Sequence, residues 1–394
     1  MAMAVPSIAR AQAAASAGAS DVDLAALGLN PTAAPFDDKL NIYGFTELDY
    51  AAKHFSHPVP GAPDAKGFSA GDLNVYLSKN LTEKWRSLAE VSFLYIPNGG
   101  QNADGSTTIT TVNDPTNFSR PITWGGVSIE RAYAEYDVDE HLTIRAGRFL
   151  TPYGIWNTDH GSPAIIAPFR PYVIGDAYFP EHQTGVEFLG KTLVGEYRVG
   201  YHATITNGRS PVEATGDPDG KPAFGGRIEL EAPWAGTLRL GLSGYLGRYT
   251  GVAAVGATAE SYDERSYGGD AQWDHGGLRL QLEVIANSRA YPAGQRPLVF
   301  GRTAADGTRT GGYILGGYRF TYLWNVMPFY FYEDNHPSTQ NGEQTARAHN
   351  MGFNFRPTDS VVLKAMFSAV SLHEDPFLGS IHIDLFTTQV AWVF

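Results

Sequence analysis

Not one cysteine occurs in the 394 residues. That excludes disulfides and thiolate metal sites, and it suits a chain exported unfolded through an oxidising compartment, though other compartments fit as well. Long hydrophobic runs are missing too. A membrane-spanning helix needs ~18 to 20 consecutive apolar residues, and no segment approaches this, so an α-helical membrane protein is excluded. A basic excess is likewise absent: the formal net charge is -12 at pH 7, which argues against a nucleic-acid partner. No fixed internal period appears, which disfavours a propeller. Enzyme signatures are weak. HExxH does not occur, His373-Glu374-Asp375 lacks the second histidine, and GLSGYLG lies inside an alternating segment, not at a nucleophile elbow. The histidines are scattered apart from His54 and His57, a poor start for a metal site. The expectation is therefore a non-enzyme with no cofactor and no metal.

What is present points to β structure. Glycine (44) and tyrosine (21) are abundant, 43% of residues are hydrophobic and mean hydropathy is -0.22. Such averages do not exclude a membrane β-barrel, whose strands alternate between lipid-facing and polar residues. From Leu40 onward the chain falls into alternating segments bounded by turn chemistry. Strands are expected at 40–50, 69–79, 85–95, 125–137, 141–150, 182–190, 195–206, 223–231, 236–249, 265–273, 277–288, 312–321, 325–333, 348–356, 360–369 and 381–394. Their connections alternate between tight links, such as Val138-Asp139-Glu140 and Asp274-His275-Gly276, and longer loops. An even count of about sixteen with segregated loop lengths predicts an all-β fold, a transmembrane antiparallel up-and-down barrel, with short periplasmic turns and both termini in the periplasm.

The alternation also has a sense. Leu238, Leu240, Leu242 and Leu246 share one face, and Arg239, Gly241, Ser243 and Tyr245 the other; Leu278, Leu280, Leu282 and Val284 oppose Arg279, Gln281 and Glu283. A hydrocarbon-facing exterior around a wet interior produces this, although a soluble sandwich shares the periodicity. Aromatic residues beside the tight links, Tyr136, Trp234, Trp273, Tyr322, Trp324 and Trp392, resemble an interfacial girdle. The last segment, LFTTQVAWVF, is apolar on one face to Phe394, as expected of a strand that must close against the first in lipid. It resembles the C-terminal signature of bacterial outer-membrane proteins.

Residues 1–39 are expected to be an export-signal remnant, from the small-x-small Ala11-Gln12-Ala13, followed by a periplasmic or lumenal leader, with the barrel over 40–394. A disordered Ala-rich tail is the alternative for the first residues. Asp21 to Leu29 could form a short helix.

The longest connection, 151–181, is the third long loop. It carries Tyr153, Ile155, Trp156, Ile165, Ile166, Phe169, Tyr172 and Phe179, which a loop projecting into water would not. It is expected to fold into the lumen and narrow it, with Asp159, His160, Arg170 and Asp176 at the constriction; a surface Ω-loop is the alternative. The lumen wall is expected to bear Arg131, Arg145, Arg198, Arg227, Arg239, Arg279, Arg319 and Arg356, interleaved with Glu135, Glu187, Glu196, Glu229, Asp270 and Glu283. Such charges either set up a transverse field or pair along the wall and hold the barrel open.

The strand count with a long third loop resembles the general bacterial porins, and GRFLTPYGIWN after Glu-Arg-Ala-Tyr is similar to the corresponding region of the phosphate-selective porin superfamily. The resemblance implies a trimeric outer-membrane channel for small hydrophilic solutes, set in lipid and lipopolysaccharide. Phosphate selectivity would imply loop lysines, and the 151–181 loop has none, so anionic solutes remain an open case. The expected function is passive diffusion (a porin); the alternative is a closed structural, adhesive or partner-docking barrel, and an outer-membrane hydrolase is a third option.

Overall fold

The computed structural model describes residues 38–56, 64–94, 99–101, 107–109, 126–157, 161–175, 178–212, 214, 216–251, 260–299, 302–336, 345–375 and 379–394. The expected leader helix and His57 lie outside these. In chain order the elements are β1 (Leu40–Phe55), β2 (Ala65–Asn80), β3 (Trp85–Leu94), β4 (Gly99–Gln101), β5 (Thr107–Ile109), β6 (Gly126–Asp137) and β7 (Thr143–Leu150). A single helical turn, α1 (Tyr172–Gly175), precedes β8 (His182–Val194), β9 (Tyr197–Thr206), β10 (Ala223–Ala232), β11 (Thr237–Thr250), β12 (Ser261–His275) and β13 (Leu278–Ala290). Then come β14 (Leu298–Val299), β15 (Arg302–Thr303), β16 (Gly307–Tyr318), β17 (Val326–His336), β18 (Thr345–Thr358), β19 (Val361–Asp375) and β20 (Gly379–Val393).

Sixteen of these strands form one closed barrel, in sequence order, while β4–β5 and β14–β15 are separate short hairpins. Closure runs through β1 and β20, antiparallel from Phe45↔Val393 to Phe55↔Ile383. All sixteen expected segments are barrel strands. Their ends differ mainly where the chain turns polar: the strand expected at 265–273 runs from Ser261 to His275, because Ser261 and Glu264 are buried within the wall and not in a loop. The strand expected at 312–321 is Gly307–Tyr318, with the turn starting at Arg319.

Closure fixes which side is which. Along β13, Leu280, Leu282 and Val284 are exposed, whereas Gln281, Glu283, Ile285 and Asn287 are buried. Leu242, at 70% exposure, alternates with buried Ser243 in the same inverted sense. Leucines outside and carboxylates inside is the reverse of a soluble core, and a lipid solvent explains it. Among the described residues no helix is long and apolar enough to cross a membrane.

Tight turns use left-handed backbone where a two-residue link demands it: Gly195 (φ 66) between Val194 and Tyr197, and Gly276 (φ 58) between His275 and Leu278. Trp234, Tyr322 and Trp324 stand exposed beside such turns, and Trp85 packs on Tyr136 at 4.8 Å between ring centres. The alternation breaks once in β6. Glu90 pairs with Arg131 and Val91 with Ile129, so Glu130 is an extra, bulged residue in β6.

Candidate functional site

The inner wall is a chain of ion pairs between neighbouring strands. Arg131 binds Glu90 (2.6 Å), and Arg145 bridges Glu135 (2.8 Å) and Glu187 (2.5 Å), whose other oxygen meets His202 Nδ1 (2.8 Å). Arg227 joins Glu229 (2.5 Å) to Asp270 (2.6 Å). Closer to the tight turns, Arg198 and Arg239 share Glu231, and Arg239 and Arg279 share Asp274. Two expected wall cations differ. Arg319, in the turn after β16, donates to the Asn325 carbonyl (2.9 Å), and burial together with nearby Arg279 pushes its pKa down to about 10. Arg356 donates to the Pro163 carbonyl (2.5 Å). Glu196 is not on the wall; it lies exposed in the β8–β9 turn.

The 151–181 segment is pinned at its base. Thr151 N–H donates to the Glu181 carbonyl (2.9 Å), Thr151 Oγ1 to the Pro180 carbonyl (2.5 Å), and Asn157 Nδ2 to the Thr151 carbonyl (2.6 Å). From there it meets the buried faces of strand after strand. Tyr153 OH bonds Thr204 Oγ1 of β9 (2.9 Å), and burial pushes the Tyr153 hydroxyl above its ordinary pKa. Gly154 N–H donates to Ser243 of β11 (3.4 Å) and Ile155 N–H to Glu283 of β13 (3.3 Å). Gly154 has φ 76, a backbone conformation that favours glycine, and a Cβ there would push the Glu283 carboxylate aside.

Further along, Asn354 Nδ2 of β18 donates to the Ile166 carbonyl (3.0 Å). Lys364 Nζ of β19 donates to the carbonyls of Ser162 (2.5 Å) and Ala167 (3.0 Å) and to Gln389 Oε1 (2.8 Å). Tyr172 N–H donates to Glu333 of β17, and the Tyr178 carbonyl accepts from Ser266 (2.5 Å) and Asn287 (3.2 Å). The segment's apolar side chains, among them Tyr153, Trp156, Ile165, Ile166 and Phe179, form one buried cluster with Ile285, Leu315, Phe329, Phe331 and Met366 of the wall. The partners run from β9 round to β20.

A cleft of about 220 Å³ lies between the segment, which contributes Ser162, Arg170 and Glu181, and the wall, which contributes Phe45, Asn74, Ser92, Glu130 and His182. Arg170 Nη1 binds Glu181 Oε1 (2.6 Å), and His182 Nε2 lies 2.8 Å from Glu130 Oε2. Of the four expected constriction residues only Arg170 is seen at this cleft; Asp159, His160 and Asp176 lie outside the described residues.

Reading alternation alone missed Glu130, because strict alternation puts it opposite Arg131. It also missed Lys364, which the pattern Val362, Lys364, Met366, Ser368 could have placed inside. Among the described residues no group of three or more His, Asp and Glu is placed to hold a metal ion.

No protein-family model matches the chain, and no curated protein sequence matches it. Solved structures do. An anion-selective porin from Comamonas acidovorans matches at a TM-score of 0.56 and 12% identity, over 90% of this chain and 99% of that one. The outer membrane channel DcaP of Acinetobacter baumannii matches at 0.57 and 12%, over 90% and 97%. The trimer form of OmpT, an outer membrane protein of Vibrio cholerae, matches at 0.53 and 10%, over 90% and 99%. The chain thus has the fold of the bacterial outer-membrane porins, and its apolar exterior suits the outer membrane. One expectation is overturned at this point. The sequence pointed to a non-enzyme, but the similar structures include OmpT beside the porins, and a fold shared at this identity does not define chemistry. The exclusion of enzymatic activity is withdrawn.

Proposed function

We propose that the protein is a passive diffusion channel for small hydrophilic solutes across the outer membrane, with the 151–181 loop lying in the lumen as its size filter. The observation that carries this is the cleft: the loop binds the buried faces from β9 to β20 but leaves a polar gap against β1, β2, β3, β6 and β8. A solute entering the barrel meets Arg170 and Glu181 on one side and Glu130 and His182 on the other. The wall arginines orient solutes only weakly in this account, since most are neutralised by neighbours. The exterior contacts lipid and lipopolysaccharide, and the protomer assembles as a homotrimer, as the OmpT structure in its trimer form does.

The alternative is a closed barrel with a docking or structural role. Its support is the density of the cluster that the loop forms with the wall. Swelling of proteoliposomes in uncharged solutes of graded size separates the two. A channel predicts fast swelling in the smallest solutes and a sharp fall with size. Rates equal to those of protein-free vesicles at every size would mean a closed barrel.

A further inference from the structure

We propose that the cleft beside the loop is a binding subsite for an uncharged, polyhydroxylated ring, chemically a monosaccharide unit. The inference rests on the channel reading for the solute's access to the cleft. Its first support is unspent hydrogen-bonding capacity. The side chains of Asn74 and Ser92 line the cleft, are 6% and 2% exposed, and have no hydrogen-bond partner among the described residues. Buried polar groups are paired as a rule, so a ligand or water with donors and acceptors is the expected complement. An amide that both donates and accepts, next to a hydroxyl, matches vicinal hydroxyls.

Charge balance gives the second support. The cleft's ionic groups are engaged with each other, Arg170 with Glu181 at 2.6 Å and His182 with Glu130 at 2.8 Å. An anion would have to compete with Glu181 for Arg170 while facing a second carboxylate, and a cation would face Arg170. Hydroxyl groups avoid this conflict, because a paired carboxylate still accepts hydrogen bonds on its free lone pairs.

Two local devices build the site. The bulge at Glu130 lets it line the cleft next to Arg131, which is itself buried against Glu90; strict alternation would have sent it to lipid. The second is the close seat of Gly161 of the loop against Phe45, which is packed among Tyr43 and Tyr76: a Cβ at Gly161 would lie 3.2 Å from the ring, so recognition falls to the polar groups around the cleft.

Saturation-transfer NMR on the detergent-solubilised full chain, with D-glucose and D-gluconate as probes, tests this together with planar-bilayer conductance. Saturable transfer to glucose, and transfer to gluconate weaker by about tenfold or more, is the expected result. In the folded Asn74→Leu/Ser92→Val double variant, glucose binding is expected to weaken by about tenfold per lost partner. No transfer to glucose from wild type, or equal transfer to both probes, overturns the subsite even if the double variant fails to fold. Open conductance steps without glucose binding would remove the subsite and leave the channel. Glucose binding to a barrel that never conducts would remove the channel and leave the subsite.

Discussion

Arg145 shows at the residue scale how this wall is held. Its guanidinium bridges Glu135 and Glu187 and lies 4.6 Å from the centre of the Tyr133 ring. Removing one partner of a buried ionic group strands the others in a poorly solvated place, at a cost of ~3–5 kcal/mol. Arg145→Met is therefore expected to lower stability by roughly that amount. Urea unfolding in lipid vesicles measures it, and a loss under ~1 kcal/mol would mean that water already solvates the group. The identity of such residues was legible, since alternation placed Arg131, Arg145 and Arg227 inside. Their partnerships were not, because pairing depends on register, which periodicity leaves undetermined. Glu130 illustrates the limit: one extra residue in β6 reverses the facing of everything before it, and nothing in GVSIERAYAEYD announces the bulge.

At the scale of elements, the 151–181 segment is held as much by wall donors as by its own apolar packing. Lys364 is the hub, with bonds to the carbonyls of Ser162 and Ala167. Lys364→Met keeps much of the side chain's bulk and deletes the donors. Local opening of residues 161–170 is then expected to become about tenfold more frequent, each net hydrogen bond contributing ~0.5–1.5 kcal/mol. Chymotrypsin cleavage after Phe169 in the folded barrel reads that opening directly; unchanged cleavage would mean that the apolar cluster alone holds the loop. The loop's apolar content was visible in the sequence and pointed to packing. The clamp was not, because it uses backbone carbonyls, which carry no sequence signal.

At the scale of the whole molecule, the barrel was the most legible level. A repeated pattern averages out local errors: sixteen weak segments with alternating link lengths specify closure more firmly than any one strand specifies its own ends. The weaker points were polar strand ends such as Ser261 to Glu264, where inward-facing polar residues resemble a loop. The inverted alternation predicts that the exterior is a lipid face. Leu242→Arg is expected to cost ~2–4 kcal/mol of folding stability in vesicles if its site lies near the bilayer midplane. Stability unchanged by that substitution would place the leucine stripe in water or in a protein interface.

The function depends on whether water and ions pass the gap left by the loop. Single-channel recording of the wild-type barrel in a planar bilayer answers this most directly. Discrete open steps of reproducible size, reduced when glucose is added, are expected. A correctly folded barrel that stays silent across the accessible voltages would mean that the loop closes the lumen.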